Sequence, residues 1–369
     1  MKALLLGPHP GHGSFSIDNY FAFYAGALPK ALPDWEIVGK LPGRPRLAGG
    51  ASTRLQRLRV QWENFVRWPL HLTISRGDLI HILDQGLAWY GEFVNGGRRL
   101  ISIHDLINYM ISKGSLDFGS CTQRRKLLLS RCVRQIQAAH HLVSVSNCTA
   151  GHLVSMLEIP ASKITVVPNV LEDDLSPLQD QERRVARRRW FGDAEYVVIH
   201  VGKASAYKNR IGAMRSFGLL HEGLPLARLF LVHGRPDAEE TAFLKESSAR
   251  DAIKFLPPMT REELRQFYGA ADALIFPSLY EGFGWPPLEA MACGCPVVCT
   301  TRGSLREVVG DAALTTDDPH DHRALAEQLR LILRDGTAAR HLQRRGFARA
   351  KCFTASTILP QMADVYRRM

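Results

Sequence analysis

Long apolar runs are missing from this sequence, which contains no stretch of 18 or more apolar residues. A transmembrane helix needs about 20 such residues, so none is expected. The apolar start MKALLL is broken by Gly, Pro and His too early for a signal peptide and is typical of a first β-strand with its loop. We therefore expect a cytoplasmic protein, and a peripheral position on the inner face of the membrane stays open.

Patterns that bind metals are also missing. Among the seven cysteines, Cys293, Cys295 and Cys299 lie close together, but no second pair has the spacing of a zinc site. We expect buried, reduced thiols, as in a cytosolic enzyme. No Asp-x-Asp motif occurs, and the acidic clusters Glu172-Asp173-Asp174 and Asp317-Asp318 are expected in solvated turns. The sequence predicts neither a metal nor a cofactor.

Positive charge is concentrated in one half of the chain. Residues 1–170 carry 19 Lys and Arg against 10 Asp and Glu, whereas residues 171–369 carry 28 against 26. A basic N-terminal half favours an anionic partner, which could be a phosphate-bearing acceptor or a membrane surface, although a solvated basic face is an equal alternative. Nucleic acid is not an expected partner because no recognisable binding module is present.

Short apolar runs without polar alternation recur along the chain, separated by helical patterns. Such runs are typical of parallel strands that are buried on both faces, and two sets of them predict two doubly wound α/β domains. The predicted strands are Ala3–Leu6, Leu79–Leu83, Leu100–Ile103, Leu142–Val145 and Ile164–Val167 in the first set, and Tyr196–Val201, Leu229–His233, Ala273–Phe276 and Pro296–Cys299 in the second.

The domain boundaries follow from where this strand pattern stops. We predict an N-terminal Rossmann-like domain over 1–170, an interdomain linker over 171–195 and a C-terminal Rossmann-like domain over 196–345. A helical segment over 346–369 follows, and its return to the N-terminal domain stays open.

The most informative segment runs from Ser278 to Val298. The predicted strand Ala273–Phe276 ends in a polar loop with glycines, and a helix is predicted to open at Pro287 and to stop at Gly294. In open α/β sheets, ligands bind outside the carboxyl ends of the strands. This loop is therefore a candidate ligand site.

The residue types in the loop suit a polyhydroxylated, phosphorylated ligand. Gly282 and Gly284 allow backbone amides to approach a ligand closely. Amides near Leu288, at the start of the predicted helix, can receive phosphate oxygens. The carboxylates of Glu281 and Glu289 can each accept hydrogen bonds from two hydroxyl groups.

Taken together, these residues resemble the signature of the retaining glycosyltransferases of family 4, also called glycosyltransferase group 1, which includes bacterial mannosyltransferases. The family carries two glutamates separated by seven residues, matched by Glu281 and Glu289, within Glu-Gly-Phe-Gly and Glu-Ala-Met-Ala-x-Gly-x-Pro-Val. The similarity extends upstream through Arg261–Leu264 and Tyr268–Ala273 and covers most of residues 196–310.

The resemblance implies a GT-B fold, in which two Rossmann-like domains face each other across a cleft. It also implies that Glu281 holds the donor sugar hydroxyls together with the amides of Gly282, Phe283 and Gly284. Glu289 would hold the hydroxyls of the ribose.

Two lysines follow the predicted strand Tyr196–Val201. Cations in a loop that faces the crevice can neutralise a diphosphate leaving group, so Lys203 and Lys208 are candidate catalytic and donor-binding residues. Lys208-Asn209 matches the Lys of the family pattern, whereas Lys203 places an ammonium where relatives have a cation such as Arg. A solvated loop lysine is the alternative for both.

The N-terminal domain offers further candidates. His104 follows the predicted strand Leu100–Ile103, and relatives have a similar His near the donor sugar and the acceptor. The first glycine-rich loop lacks Gly-x-Gly-x-x-Gly spacing, but in the resembled family such a loop approaches the donor phosphates, which implicates Gly13. Residues 52–75 mix Arg with Trp62 and other apolar residues. They favour an ordinary packed helix, and contact with a membrane or acceptor stays open.

These features predict a metal-independent, retaining transfer of a sugar from a nucleotide diphosphate sugar to a glycan or lipid-linked hydroxyl acceptor, in bacterial polysaccharide or glycoconjugate assembly. Peripheral membrane contact through the basic N-terminal domain stays open. The alternative enzyme class is a nucleotide-sugar epimerase of the GT-B fold, against which the family 4 loop argues.

Overall fold

A computed structural model of the protein describes residues 1–8, 15–43, 54–203, 205–232 and 234–369. The chain forms two compact units. The first unit comprises Met1–Val170 together with Ile358–Met369, and the second comprises Leu171–Thr357. Gly13, which the family resemblance implicates in donor binding, lies outside the described residues.

The first unit is built on a six-stranded sheet. Its strands are β1 (Lys2–Leu6), β2 (Glu36–Lys40), β3 (Leu79–Ile82), β4 (Arg98–Ile103), β5 (His141–Ser144) and β6 (Ile164–Val166). They pair in parallel in the order β2-β1-β3-β4-β5-β6. The intervening helices are α1 (Phe15–Ala31), α2 (Arg54–Trp62), α3 (Trp68–Thr73), α4 (Ile107–Ser112), α5 (Gln123–Ala138) and α6 (Asn147–Leu157).

The second unit repeats this arrangement. Helix α7 (Asp180–Phe191) precedes strands β7 (Tyr196–Val201), β8 (Ala227–Val232), β9 (Ile253–Leu256), β10 (Ala273–Phe276), β11 (Val297–Thr300) and β12 (Leu314–Thr316). These strands form a second parallel sheet in the order β12-β11-β10-β7-β8-β9. The remaining helices are α8 (Arg210–Gly223), α9 (Ala238–Glu246), α10 (Arg261–Ala270), α11 (Trp285–Ala292), α12 (Leu305–Val309), α13 (His322–Arg334), α14 (Gly336–Ala350) and α15 (Ala355–Arg368).

The two sheets have the predicted doubly wound α/β arrangement. All nine predicted strands are present, and their ends agree with the prediction within one or two residues. The three strands that the sequence analysis missed, β2, β9 and β12, are all at sheet edges. An edge strand is only partly covered, so it does not need a continuous apolar run. Each missed strand accordingly contains half-exposed or exposed residues.

The region expected to be a linker, 171–195, is part of the second unit. It contains α7, whose Glu182 receives hydrogen bonds from the guanidinium of Arg265 on α10 at 2.7 and 3.1 Å. Arg187 of the same helix pairs with Asp272 at 2.9 Å. The expected linker therefore contains a helix, which half-buried ion pairs tie to α10 and to Asp272.

The C-terminal segment is divided between the units. Helix α14 and the first residues of α15 belong to the second unit, whereas Ile358–Met369 belong to the first. Within the first unit, Tyr366 is fully buried, and its hydroxyl is hydrogen-bonded to Nδ1 of His81 at 2.7 Å. The predicted helical segment thus contributes to both cores.

The helical stretch at residues 54–73 has two different faces. Trp68 and Leu72 are buried in the first unit, while Trp62 and Leu70 are exposed. The expected ordinary packing therefore applies to one face only. Among the described residues, no helix is long and apolar enough to cross a membrane.

Candidate functional site

The strand order of the second sheet reverses between β7 and β10. These two strands are hydrogen-bonded neighbours, although β8 follows β7 along the chain. At such a switch point the loops that leave the two strands diverge and open a crevice at the carboxyl edge of the sheet. The loop after β7 holds Lys203 and Lys208, and the loop after β10 holds Glu281.

The structure brings Lys208 and Glu281 into contact. The Lys208 Nζ lies 2.7 Å from Oε1 of Glu281, and the side chains are only 13% and 7% exposed. Ser278 Oγ donates a second hydrogen bond to the same carboxylate oxygen at 2.8 Å. Two residues that the sequence analysis assigned to one site on separate grounds are therefore direct neighbours.

Asn209 fixes the loop that carries Lys208. Its backbone is in the left-handed region, with φ of 49°, which Asn tolerates better than most residues. The Asn209 side chain caps α8 by accepting from the Gly212 amide at 3.1 Å. Its Nδ2 donates to the Pro277 carbonyl at 2.9 Å, so Asn209 ties the loop after β7 to the loop after β10.

The backbone of Glu281 is held from the other side by the loop after β11. Its carbonyl oxygen accepts hydrogen bonds from the amide and from Oγ of Ser304, at 3.0 and 3.1 Å. The preceding residue, Gly303, has a φ of 65°, and a Cβ there would lie 2.1 Å from the Glu281 carbonyl oxygen. Only glycine allows this close approach.

Glu289 on α11 is buried, and each of its carboxylate oxygens accepts one hydrogen bond. Its Oε2 accepts a hydrogen bond from the Tyr268 hydroxyl at 3.0 Å, and its Oε1 accepts one from Arg261 at 3.2 Å. Burial raises the pKa of Glu289, an effect that the neighbouring Arg261 guanidinium opposes. The carboxylate is thus fixed in orientation, with lone pairs left to accept hydroxyl groups from a ligand.

Arg261 extends this network to the start of the second unit. Its guanidinium donates to both carboxylate oxygens of Asp174, at 2.8 and 3.1 Å, and lies 3.7 Å from Glu172. Asp173 and Asp174 lie in an exposed turn, as expected, and Glu172 is half-buried beside it. Glu172 and Asp174 hold the arginine that holds Glu289.

Sequence reasoning gave no role to Arg261, Tyr268 or Ser278. A signal for the first two was available, because residues seven apart lie on the same face of a helix and both belong to α10. Ser278 had no comparable signal, since its contact with Glu281 depends on how the loop folds.

The start of α11 differs from the expectation. The helix begins at Trp285 rather than Pro287, with Gly284 at its N-cap in the left-handed region at φ of 106°. Pro286 and Pro287 have no amide hydrogen, and the Leu288 amide already donates to the Gly284 carbonyl oxygen at 3.4 Å. Leu288 is fully buried, and the phosphate-binding role of its amide stays a prediction.

The other predicted loop residues are placed as follows. Phe283 is buried and packs edge-on against Trp285, with ring centroids 5.4 Å apart. Its side chain therefore serves the core, and its amide remains the predicted donor. Lys203 is exposed, directly after Gly202. Its role as a second cation for the diphosphate stays a prediction.

His104 follows β4 in the first unit, as predicted. Its Nε2 is hydrogen-bonded to the Leu83 carbonyl oxygen at 3.0 Å, so this nitrogen carries a proton. The ring also packs edge-on against Tyr20, with centroids 4.6 Å apart. Burial lowers the pKa of His104, which keeps the ring neutral at pH 7 and leaves Nδ1 as its acceptor nitrogen.

A cavity of about 360 Å³ lies in the first unit. It is found at the carboxyl edge of the sheet, where the strand order reverses between β1 and β3, so it has the same topological position as the crevice in the second unit. It is lined by Asp84 after β3, Asp105 after β4, Tyr109 on α4 and Arg125 on α5, beside apolar residues of α5.

All seven cysteines are free thiols. Cys293, Cys295 and Cys299 are buried, and burial raises the pKa of Cys299 to about 12. Cys352 is exposed, so the expectation of buried thiols holds for only part of the set. Within the described ranges, no group of three or more His, Cys, Asp or Glu residues is placed to hold a metal ion.

Solved structures of other proteins share this architecture. The structure resembles sucrose-phosphate synthase from Thermosynechococcus elongatus, with a TM-score of 0.75, 20% identity and coverage of 100% of this chain and 98% of the other. It also resembles WaaG, a glycosyltransferase involved in lipopolysaccharide biosynthesis, with a TM-score of 0.74, 16% identity and 99% coverage of both chains. The predicted GT-B fold class is confirmed.

The sequence comparisons identify a family and several proteins that this chain resembles. Residues 183–349 match the family model of the glycosyl transferases group 1. O-antigen chain mannosyltransferase B of Escherichia coli is 29% identical over 311 residues, which cover 82% of this chain and 81% of that protein. The chain also matches D-inositol 3-phosphate glycosyltransferases and spans about half their length. Over residues 183–349 the chain is thus similar to the glycosyl transferases group 1, and the comparisons support a glycosyltransferase.

Proposed function

We propose that the protein catalyses the retaining transfer of a sugar from a nucleotide diphosphate sugar to a hydroxyl acceptor, without a metal ion. The observation that carries this proposal is the contact between Lys208 and Glu281, 2.7 Å apart at the switch point of a domain that is similar to the glycosyl transferases group 1. It joins a cation suited to a diphosphate and a carboxylate suited to sugar hydroxyls in one crevice.

Each residue then has a defined role. Glu281 and the amides of Gly282, Phe283 and Gly284 hold the hydroxyls of the donor sugar. Lys208, with Lys203, neutralises the diphosphate as negative charge accumulates on it. A separate carboxylate, Glu289, which Arg261 and Tyr268 hold in place, binds the ribose hydroxyls.

In the proposed reaction, the bond between C1 of the sugar and the diphosphate oxygen breaks while the acceptor oxygen bonds to C1 on the same face. The acceptor proton passes to an oxygen of the departing diphosphate, which leaves as the nucleotide diphosphate. His104 is proposed to orient a hydroxyl at the reacting centre through its acceptor nitrogen Nδ1. No other proton donor or electron carrier is needed.

The acceptor is proposed to be a glycan or a lipid-linked hydroxyl compound, held in the cavity of the first unit. The similarity to an O-antigen chain mannosyltransferase supports a place in polysaccharide assembly and makes a mannosyl donor the first candidate.

The test is a transfer assay with a panel of GDP-, UDP- and ADP-linked sugars in the presence of EDTA, with the anomeric configuration of the product read by NMR. We expect activity to survive the chelator and an α-linked donor to give an α-linked product. Activity that is lost in EDTA and restored by magnesium or manganese would contradict metal independence. A β-linked product would contradict retention, and donor isomerisation without transfer would indicate an epimerase.

A further inference from the structure

The cavity of about 360 Å³ in the first unit has two unlike walls. One wall is apolar and includes Leu129, Val133 and Ile136 of α5, whose spacing of four and three residues places them on one face of the helix. The other wall is polar and includes Asp84 and Asp105. The volume is at the lower end of the range of small-molecule pockets, about 300–1,000 Å³, so the cavity suits a terminal sugar rather than a whole glycan chain.

Two hydrogen bonds join the loops that carry the two aspartates. Gln85, next to Asp84, accepts a hydrogen bond on Oε1 from the amide of His104 at 2.8 Å. The ring of His104, next to Asp105, donates from Nε2 to the Leu83 carbonyl oxygen at 3.0 Å. Asp84 and Asp105 are therefore held on one wall of the cavity, beside the histidine that is proposed to orient a hydroxyl at the reacting centre.

Each aspartate is also fixed by the backbone that follows it. Oδ1 of Asp84 accepts from the Gly86 amide at 2.6 Å, and Oδ1 of Asp105 accepts from the Ile107 amide at 2.9 Å. Within the described ranges, no group donates a hydrogen bond to Oδ2 of Asp84. This oxygen can therefore accept a hydroxyl group from a ligand in the cavity.

Negative charge dominates the interior of the cavity. Among the described residues that line it, the charged ones are Asp84, Asp105 and Arg125. The two aspartates are half-buried, whereas Arg125 is exposed and donates to Oδ1 of Asn108 at 2.6 Å. Water and salt screen an exposed charge more than a half-buried one, so the two carboxylates outweigh the guanidinium. The excess of positive charge over residues 1–170 is therefore not located in this cavity.

We propose that the cavity selects an uncharged terminal sugar as the acceptor and rejects a phosphorylated one. The ring hydroxyls donate to the carboxylates of Asp84 and Asp105, and the C–H face of the ring packs on the apolar wall of α5. A phosphate group would bring negative charge against both carboxylates, and like charges repel. This inference rests on the proposed sugar transfer and names its acceptor class. It decides against the phosphate-bearing acceptor that the basic N-terminal half left open.

The test measures binding of sugars to the full chain by saturation-transfer NMR, without any donor. The probes are the methyl α-glycosides of mannose, glucose and galactose, together with their 6-phosphates. We expect a neutral glycoside to bind and its 6-phosphate to bind at least about tenfold more weakly.

The variants Asp84→Asn and Asp105→Asn test the source of this preference. Asparagine keeps the side-chain oxygen that the local backbone amide needs, so each loop should fold as in the wild type. Only the charge is removed, and the difference between a glycoside and its 6-phosphate should narrow to about threefold or less. Asp34→Asn is the matched control, since Asp34 is exposed and precedes β2 at the opposite edge of the sheet. It should bind both kinds of sugar like the wild type.

Three results would overturn the proposal: no binding of any neutral glycoside, equal binding of a glycoside and its 6-phosphate, or a preference that both cavity variants retain. Failure of the proposed function gives a different result. If neutral glycosides bind with the expected preference but no nucleotide sugar of the donor panel supports transfer, the proposed function fails, whereas the preference of the cavity for uncharged sugars stands.

Discussion

The Nζ of Lys208 lies 2.7 Å from Oε1 of Glu281, and both side chains are largely buried. This pair joins the loops after two adjacent strands that are distant in sequence. Breaking a buried pair by removing one partner leaves an uncompensated charge and destabilises a protein by several kcal/mol in well-buried cases. Variants of either residue must therefore be checked for folding before their kinetics are interpreted.

Lys208→Ala should lower the rate of sugar transfer about 100-fold, because a cation that stabilises the leaving diphosphate is removed. The rate is measured at saturating donor by release of the nucleotide diphosphate. Lys245→Ala, an exposed lysine on α9, is the matched control and should retain wild-type turnover. A Lys208→Ala enzyme that folds and turns over normally would show that this lysine is peripheral to the reaction.

Glu281→Gln should reduce turnover about 10- to 100-fold, since the sugar hydroxyls lose a charged acceptor. Affinity for the bare nucleotide diphosphate should change little, because the proposed partners of Glu281 belong to the sugar. Calorimetry and steady-state kinetics separate the two effects. A variant that binds the nucleotide diphosphate weakly but transfers sugar normally at saturating donor would contradict the assignment of Glu281 to the sugar hydroxyls.

Glu289→Ala should weaken nucleotide diphosphate binding by about 1.5–3 kcal/mol, the value of a hydrogen bond to a charged group, since the ribose loses its partner. Isothermal calorimetry measures the change directly. Glu172→Gln, on the far side of Arg261, is the control and should bind the nucleotide nearly as well as the wild type. Unchanged affinity in Glu289→Ala would remove Glu289 from the site.

The interior strands of both sheets could be predicted from sequence, but three of the four edge strands could not. Interior parallel strands are covered on both faces and so appear as unbroken apolar runs, such as the fully buried residues of β10. Strand β9 has the sequence Ile-Lys-Phe-Leu and keeps Lys254 exposed, because one of its sides has no neighbouring strand. Such a strand resembles a loop until its partner is known.

In the site, residue types and spacing identified the two glutamates and Lys208, since each occupies a fixed place in a motif. Backbone geometry decided what residue types and spacing could not. Helix α11 starts two residues earlier than predicted, which turns Leu288 from a free amide into a bonded one. The helical spacing of Arg261 and Tyr268 places them on one face of α10, but the contacts of Arg261 with Asp174 and Glu289 depend on the tertiary fold.

Acid should destabilise the first unit through His81. This side chain is fully buried between Tyr366 and Ser102, and burial lowers its pKa from 6.5 to about 3. The folded state keeps the ring neutral, so below pH 6.5 only the unfolded chain gains this proton. Stability is lost as pH falls from 6.5 towards 3, by about 2 kcal/mol at pH 5.

Urea unfolding of the wild type and of His81→Gln at pH 7.5 and pH 5.0 measures this contribution. The variant should be less stable at pH 7.5, since it loses the two hydrogen bonds of the ring. The difference should narrow by about 2 kcal/mol at pH 5.0, because glutamine does not titrate. A difference that stays constant between the two pH values would show that His81 does not contribute to acid sensitivity.

The division of α15 between the units has a consequence for synthesis. The first unit needs Ile358–Met369, which place Tyr366 in its core, but the ribosome makes these residues only after Leu171–Thr357. At about 5–20 residues per second, the first sheet waits roughly tens of seconds for its last helix. The second unit is continuous in sequence and can complete its core sooner. We therefore expect the usual order, in which N-terminal domains mature first, to be reversed in this chain.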